Sequence, residues 1–131
     1  GSTLGRLGRE AAAADPAGRL AALAGGPELV TGEVVFAAAS EGDKVALALF
    51  ERVGHWLGVG IASLVTIFDP DLVVVGGGVA ATGELLLAPA RTSFERYVHA
   101  RDQRDLPPVV PARLGADAGL VGAATLALGG R

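Results

Sequence analysis

Asp69-Pro70-Asp71-Leu72-Val73-Val74-Val75-Gly76-Gly77-Gly78-Val79-Ala80-Ala81-Thr82-Gly83-Glu84 is the stretch whose reading decides the fold. Leu72 to Val75 form an unbroken apolar run between turn formers, the pattern of a short strand buried on both faces. Three glycines follow at once. Lacking a Cβ and tolerating positive φ, such a turn lets the backbone come close to a ligand, and open α/β sheets bind ligands at the carboxyl ends of their strands. The same sequence also suits a plain strand-to-helix turn. Thr82 reads as the N-cap of the next helix, with Gly83 and Glu84 in its first turn and Leu85, Leu86 and Leu87 opening its apolar face.

Upstream of this stretch, Ala46, Leu49, Phe50, Val53, Leu57, Ile61, Leu64, Val65 and Phe68 recur at helical spacing, so one helix is expected from Asp43 to Phe68. At 1.5 Å per residue it would be about 39 Å long, the spine of the domain, packed on the strand Leu72 to Val75. Its first half carries Asp43, Lys44, Glu51 and Arg52. Beyond Trp56 only Ser63 and Thr66 are polar, which predicts burial nearly all round, including Leu57, Ile61 and Leu64. The uncharged part, Val53 to Phe68, is shorter than the roughly 20 residues that span a bilayer, which argues against a membrane helix. His55 has no second histidine at ligand spacing on its face and reads as a partly exposed or hydrogen-bonded structural residue.

Downstream, Thr82 to Val98 is helical in pattern, but Pro89 removes a helix hydrogen bond and predicts a kink or a restart near Leu87. His99 to Leu106 reads as a polar loop. Pro107 to Leu114 reads as a second strand, with Pro111 marking an edge or a bulge. Asp117 reads as the N-cap of a closing helix through Leu120, Val121, Ala124 and Leu128. At the other end, Thr3 to Ala14 is a helix stopped by Asp15-Pro16, and Gly18 to Ala24 a short helical turn before Gly25-Gly26-Pro27. Thr31 caps a further helix through Val34, Val35 and Ala38, broken at Ser40-Glu41-Gly42-Asp43.

The 131 residues suit one domain, half of them hydrophobic, with 20 glycines that favour closely packed helices. The net charge of −3, and basic residues scattered as arginines with Lys44 the only lysine, argue against a nucleic-acid surface. With no cysteine, these residues hold neither a disulfide nor a thiolate metal site, and a cytosolic setting fits. There is no signal-peptide pattern and no initiator methionine, so the chain reads as a piece of something longer or as carrying an expression scar at Gly1-Ser2. Lysine-containing phosphate loops, serine elbows and paired histidines are missing from the sequence. Gly76-x-Gly78-x-x-Ala81 loosely matches a dinucleotide fingerprint, but the following strand ends in Arg113-Leu114 rather than in a ribose-binding carboxylate.

The run Phe68 to Val79, the following Gly83-Glu84-Leu85-Leu86-Leu87-x-Pro89, and the closing Leu114-Gly115-x-Asp117-Ala118-Gly119-Leu120-x-Gly122-Ala123-Ala124 resemble the C-terminal half of ROK-family sugar kinases, bacterial glucokinases in particular. Gly1 to Arg6 resembles the helix start after that family's zinc motif, and Ala37-Ala38-x-x-Glu41-Gly42-Asp43 its next segment. The resemblance covers the whole chain.

It implies an α/β fold: residues 1 to 131 would be the C-terminal nucleotide-binding lobe of an actin-like (ribonuclease H-like) ATPase, helix-rich with few strands. It implies that Gly76, Gly77, Gly78 and Val79 lie against the adenosine of ATP, used with Mg2+, and that the phosphate-binding segment, the catalytic aspartate and a structural zinc lie upstream. No catalytic or metal-ligating residue is expected within this chain, which alone would be inactive. The implied substrate is glucose or a related hexose, the implied state a cytoplasmic homo-oligomer with neither membrane nor nucleic acid as partner. The family also contains sugar-responsive transcriptional repressors. The complete glycine turn favours the kinase, since glycine there serves close approach to a nucleotide.

Overall fold

The computed structural model describes residues 2–99, 102 and 105–113. Among the described residues, five helices and two short strands follow one another: α1 (Ser2–Ala14), α2 (Arg19–Ala24), α3 (Gly32–Ser40), α4 (Lys44–Phe68), β1 (Val73–Val75), α5 (Glu84–Tyr97) and β2 (Val109–Pro111). Single 3-10 turns precede α3 and α5. The closing helix expected after Asp117 lies outside the described residues.

The helix starts are set by local chemistry. Thr31 accepts a hydrogen bond from the Val34 N–H at 3.4 Å, so it caps as expected, and Asp43, where the long helix was expected to start, caps α4 by accepting one from the Ala46 N–H on its Oδ1 at 2.8 Å. Thr82 does not. The turn Gly78–Thr82 stays 3-10, and the residue before α5 is Gly83, at φ 60° and ψ −133°, a region open in practice only to glycine. Helix α5 runs through Pro89 in one piece rather than restarting near Leu87. Its ring occupies space that Gly54 of α4 leaves open: a Cβ at Gly54 would come within 2.6 Å of Pro89 Cγ.

Two apolar clusters form the core. One gathers α1, α2, α3 and the start of α4 around Leu4, Leu20, Val30, Val35 and Phe50, and reaches Leu86 of α5. The other joins the end of α4 to α5 and β2 through Ile61, Val65, Phe94, Val98 and Val109. Helix α4 is the spine, as the periodicity predicts, but its principal partner is α5, with Val73 and Val75 of β1 at the margin of the second cluster.

That arrangement corrects two expectations of burial. The second half of α4 is not covered all round: Ile61 and Val65 are buried, but Trp56, Leu64, Ile67 and Phe68 are 65%, 55%, 71% and 72% exposed, because α5 packs on one side only. Leu57 is partly buried. Likewise β1 is only partly buried, on the face of Val73 and Val75, with Leu72 and Val74 half exposed. By length and composition the whole of α4 would suffice to cross a bilayer, so the argument from Val53 to Phe68 alone is too narrow. Its Gly54 and Gly58 are taken up by α5.

The strands pair in parallel, Val73 with Val109 and Val75 with Pro111, joined by α5 as the crossover. The second strand is three residues long, shorter than Pro107 to Leu114, and Pro111 stands at its end. Arg91 fastens it to α5, its Nε donating to the Val109 carbonyl at 2.9 Å and its Nη1 to Glu84 at 2.6 Å. His55 meets the Ser93 hydroxyl at 3.1 Å across the α4–α5 contact, the structural role expected of it.

Candidate functional site

At the carboxyl end of β1 the chain leaves the strand at Gly76, turns at Gly77 with φ +83°, and enters the 3-10 turn Gly78–Thr82. A positive φ of this size strains any residue with a Cβ, so glycine is required at position 77 by the backbone itself. Position 76 differs: a Cβ there would meet Ala112 at an ordinary 3.8 Å. At Gly78 it would project into open space.

Gly78 also lines a cavity of about 300 Å3, the low end of the range for small-molecule sites. One wall is the turn after β1, through Gly78, Ala81 and Thr82. The facing wall comes from helices far away in sequence: Leu4 of α1, and Gly32, Glu33 and Phe36 of α3. The two walls are brought together by the first core cluster, in which α1, α3 and the start of α5 share Leu4, Val35 and Leu86.

The lining is mostly apolar, and among the described residues Glu33 is its one ionisable side chain. Glu33 sits in the first turn of α3, where its own backbone N–H, and after it the Thr31 hydroxyl, hold its carboxyl below the usual carboxylate range. It is therefore an anion, exposed to solvent, at neutral pH. Phe36, one turn further along, is 37% exposed and rests edge-on against the buried ring of Phe50, with centroids 6.4 Å apart.

Of the four residues singled out in the sequence, Gly78 lines the cavity, Gly76 and Gly77 form the turn that delivers it, and Val79 follows within the 3-10 turn. Leu4, Glu33 and Phe36 went unrecognised. Nothing local marks them, since what makes them part of a site is the fold of α1 and α3 against a turn more than forty residues away. Among the described residues no group of three or more His, Asp or Glu side chains is gathered at metal-binding distance. His55 does not line the cavity. A concave, largely apolar site with an anion is equipped to hold a ligand, and among the described residues it presents no paired acid and base to transform one.

A model of the ROK family matches residues 9–129. The glucokinase of Streptomyces coelicolor is 39% identical over 130 residues, 97% of this chain and 41% of that protein. The glucokinase of Thermotoga maritima is 36% identical over 104 residues, 79% of this chain and 32% of that protein. Among solved structures, a ROK family glucokinase from Streptomyces griseus in complex with glucose and AMPPNP superposes with a TM-score of 0.85 at 40% identity, covering 94% of this chain and 40% of that one. A ROK hexokinase from Thermus thermophilus superposes with a TM-score of 0.61 at 34% identity, covering 97% and 40%. The chain thus spans about two fifths of the length of these relatives. Its fold is the actin-like ATPase fold of these neighbours, in a helix-rich portion with few strands.

Proposed function

This chain belongs to the ROK family, and on that premise we propose that it is the nucleotide-binding, C-terminal portion of an ATP-dependent sugar kinase of the glucokinase type. The whole protein would transfer the γ-phosphoryl group of ATP to glucose or a related hexose. Residues 1 to 131 would supply the adenosine pocket, and their remaining surface would pack against the other lobe or a second subunit in a cytoplasmic homo-oligomer, with no call on membrane or nucleic acid.

The observation that carries this reading is the cavity at the Gly78 turn, in a chain 40% identical to a glucokinase whose structure holds AMPPNP. Gly76, Gly77, Gly78 and Val79 would let the backbone lie against the nucleoside. The facing wall of α1 and α3 would shield it from water. Phosphoryl transfer depends on positioning and on charge stabilisation around the phosphates. This chain's part is the first of these, because among the described residues its cavity presents no paired acid and base. With no cysteine in the sequence and no carboxylate or histidine cluster among the described residues, the residues present do not fit a zinc site or a complete Mg2+ site. Both ions would be held elsewhere in the whole protein.

The test is glucose-dependent ADP release by the whole protein, together with calorimetric titration with AMPPNP. Both are expected. A folded protein that binds no adenine nucleotide would overturn the assignment. A second reading is favoured by the xylose repressor of Caldicellulosiruptor bescii, 36% identical over 62 residues: the chain would then be the sugar-responsive portion of a repressor. Sugar-dependent DNA binding without ADP release would select it.

A further inference from the structure

We propose that Glu33 is the residue by which this cavity selects its nucleoside, its carboxylate accepting a hydrogen bond from an N–H or O–H donor of the bound ligand. The inference rests on the nucleotide-binding reading above and assigns within that site a residue the glycine turn does not include.

A nucleoside sets two requirements. Its base has two apolar faces, and its polar edges carry the exocyclic amine and the ribose hydroxyls as hydrogen-bond donors. The cavity meets the first requirement with Leu4, Ala81 and Phe36, whose ring is held by the edge-on contact with Phe50. For the second, a hydrogen-bond acceptor is needed, and among the described residues Glu33 is the one ionisable side chain in the lining, beside Gly78 and Thr82 of the turn.

Glu33 is suited to that role by its position. Thr31 caps α3 and fixes the first turn on which Glu33 stands, and the Thr31 hydroxyl and the Glu33 N–H keep the carboxyl ionised. A carboxylate has about four lone-pair positions, so these two local bonds leave acceptor capacity for a ligand. It also repels a carbonyl presented at the same place. A purine carrying oxygen in place of the 6-amine, or a ribose lacking a hydroxyl, would leave the anion without its donor, and a polar partner left unpaired is how such sites reject analogues.

The experiment measures dissociation constants of ATP, ITP, 2′-deoxy-ATP and 3′-deoxy-ATP by calorimetry, for the intact protein and for its Glu33→Ala variant, with thermal unfolding of each to confirm folding. For a hydrogen bond to a charged acceptor, Glu33→Ala is expected to weaken ATP about tenfold. One analogue is expected to bind the unmodified protein about tenfold more weakly than ATP and to lose nothing further on Glu33→Ala, since the bond is already missing. If that analogue is ITP the donor is the base amine, and if a deoxynucleotide, the ribose. The proposal is overturned if Glu33→Ala leaves ATP binding unchanged, or weakens ATP and all three analogues alike. Either result with ATP still bound leaves the nucleotide-binding reading standing. No ATP binding to the unmodified protein overturns both.

Discussion

Gly58 of α4 lies so close to Ala90 of α5 that a Cβ built on it would fall 2.2 Å from the Ala90 carbonyl oxygen, a distance no real side chain tolerates. The same Cβ would also meet Ser93 and Phe94 at 2.7 and 2.8 Å. The α4–α5 contact is thus a backbone-to-backbone approach that only a missing side chain permits, and it brings Phe94 onto Ile61 and Val65 in the second core cluster. Gly58→Ala must push the helices apart and is expected to destabilise the domain by about 1 to 3 kcal/mol, even after the better helix propensity of alanine. Gly60, two residues on, has nothing within 4 Å, and Gly60→Ala is expected to be neutral or to stabilise by up to about 1 kcal/mol. Chemical denaturation of the pair decides it, and equal effects would sink the close-packing argument.

The two faces of α4 give a second contrast. Ile61 is 4% exposed within the second cluster, so Ile61→Ala is expected to cost about 2 to 5 kcal/mol. Leu64 is 55% exposed, and Leu64→Ala is expected to change stability by less than about 0.5 kcal/mol in this chain. Thermal unfolding of both variants tests the orientation of the helix. A loss at Leu64 as large as that at Ile61 would mean that the exposed face is covered.

Gly77 tests the glycine turn. At φ +83°, valine adds backbone strain as well as bulk, and Gly77→Val is expected to weaken AMPPNP binding by the whole protein about tenfold or more. Asparagine tolerates this conformation better, so Gly77→Asn separates the two causes. Affinity recovered with asparagine identifies backbone strain as the main term; affinity lost with both variants, in folded protein, identifies close approach to the ligand. Unchanged affinity with valine would move the nucleotide elsewhere.

Residues 1 to 131 produced alone are expected to show no glucose-dependent ADP release, because among the described residues the cavity presents no paired acid and base, and the sequence holds no lysine-containing phosphate loop. They are also expected to self-associate. Trp56, Leu64, Ile67 and Phe68 on α4, and Leu72 and Val74, are each at least half exposed, apolar surface that a second copy would cover. Light scattering across a concentration series reads the second expectation, and a monodisperse monomer at high concentration would contradict it.

What the sequence determined by itself is the local chemistry. Thr31 and Asp43 cap helices because their side-chain oxygens reach the N–H groups three residues on, and α4 follows from apolar residues at helical spacing. The family and the glycine turn were legible for the same reason, since Leu72 to Val79 carries strand and turn within eight consecutive residues. Periodicity marks which residues are apolar, but burial needs a second element, and so Ile61 and Leu64, alike in sequence, part company once α5 takes one side of α4. Likewise Thr82 has the chemistry of a cap, yet the 3-10 turn carries the chain past it and leaves the start of α5 to Gly83. The cavity was decided by tertiary structure alone. Glu33 and Phe36 become its far wall only because core packing folds α3 against the turn after β1, and no local pattern records a contact between residues so far apart.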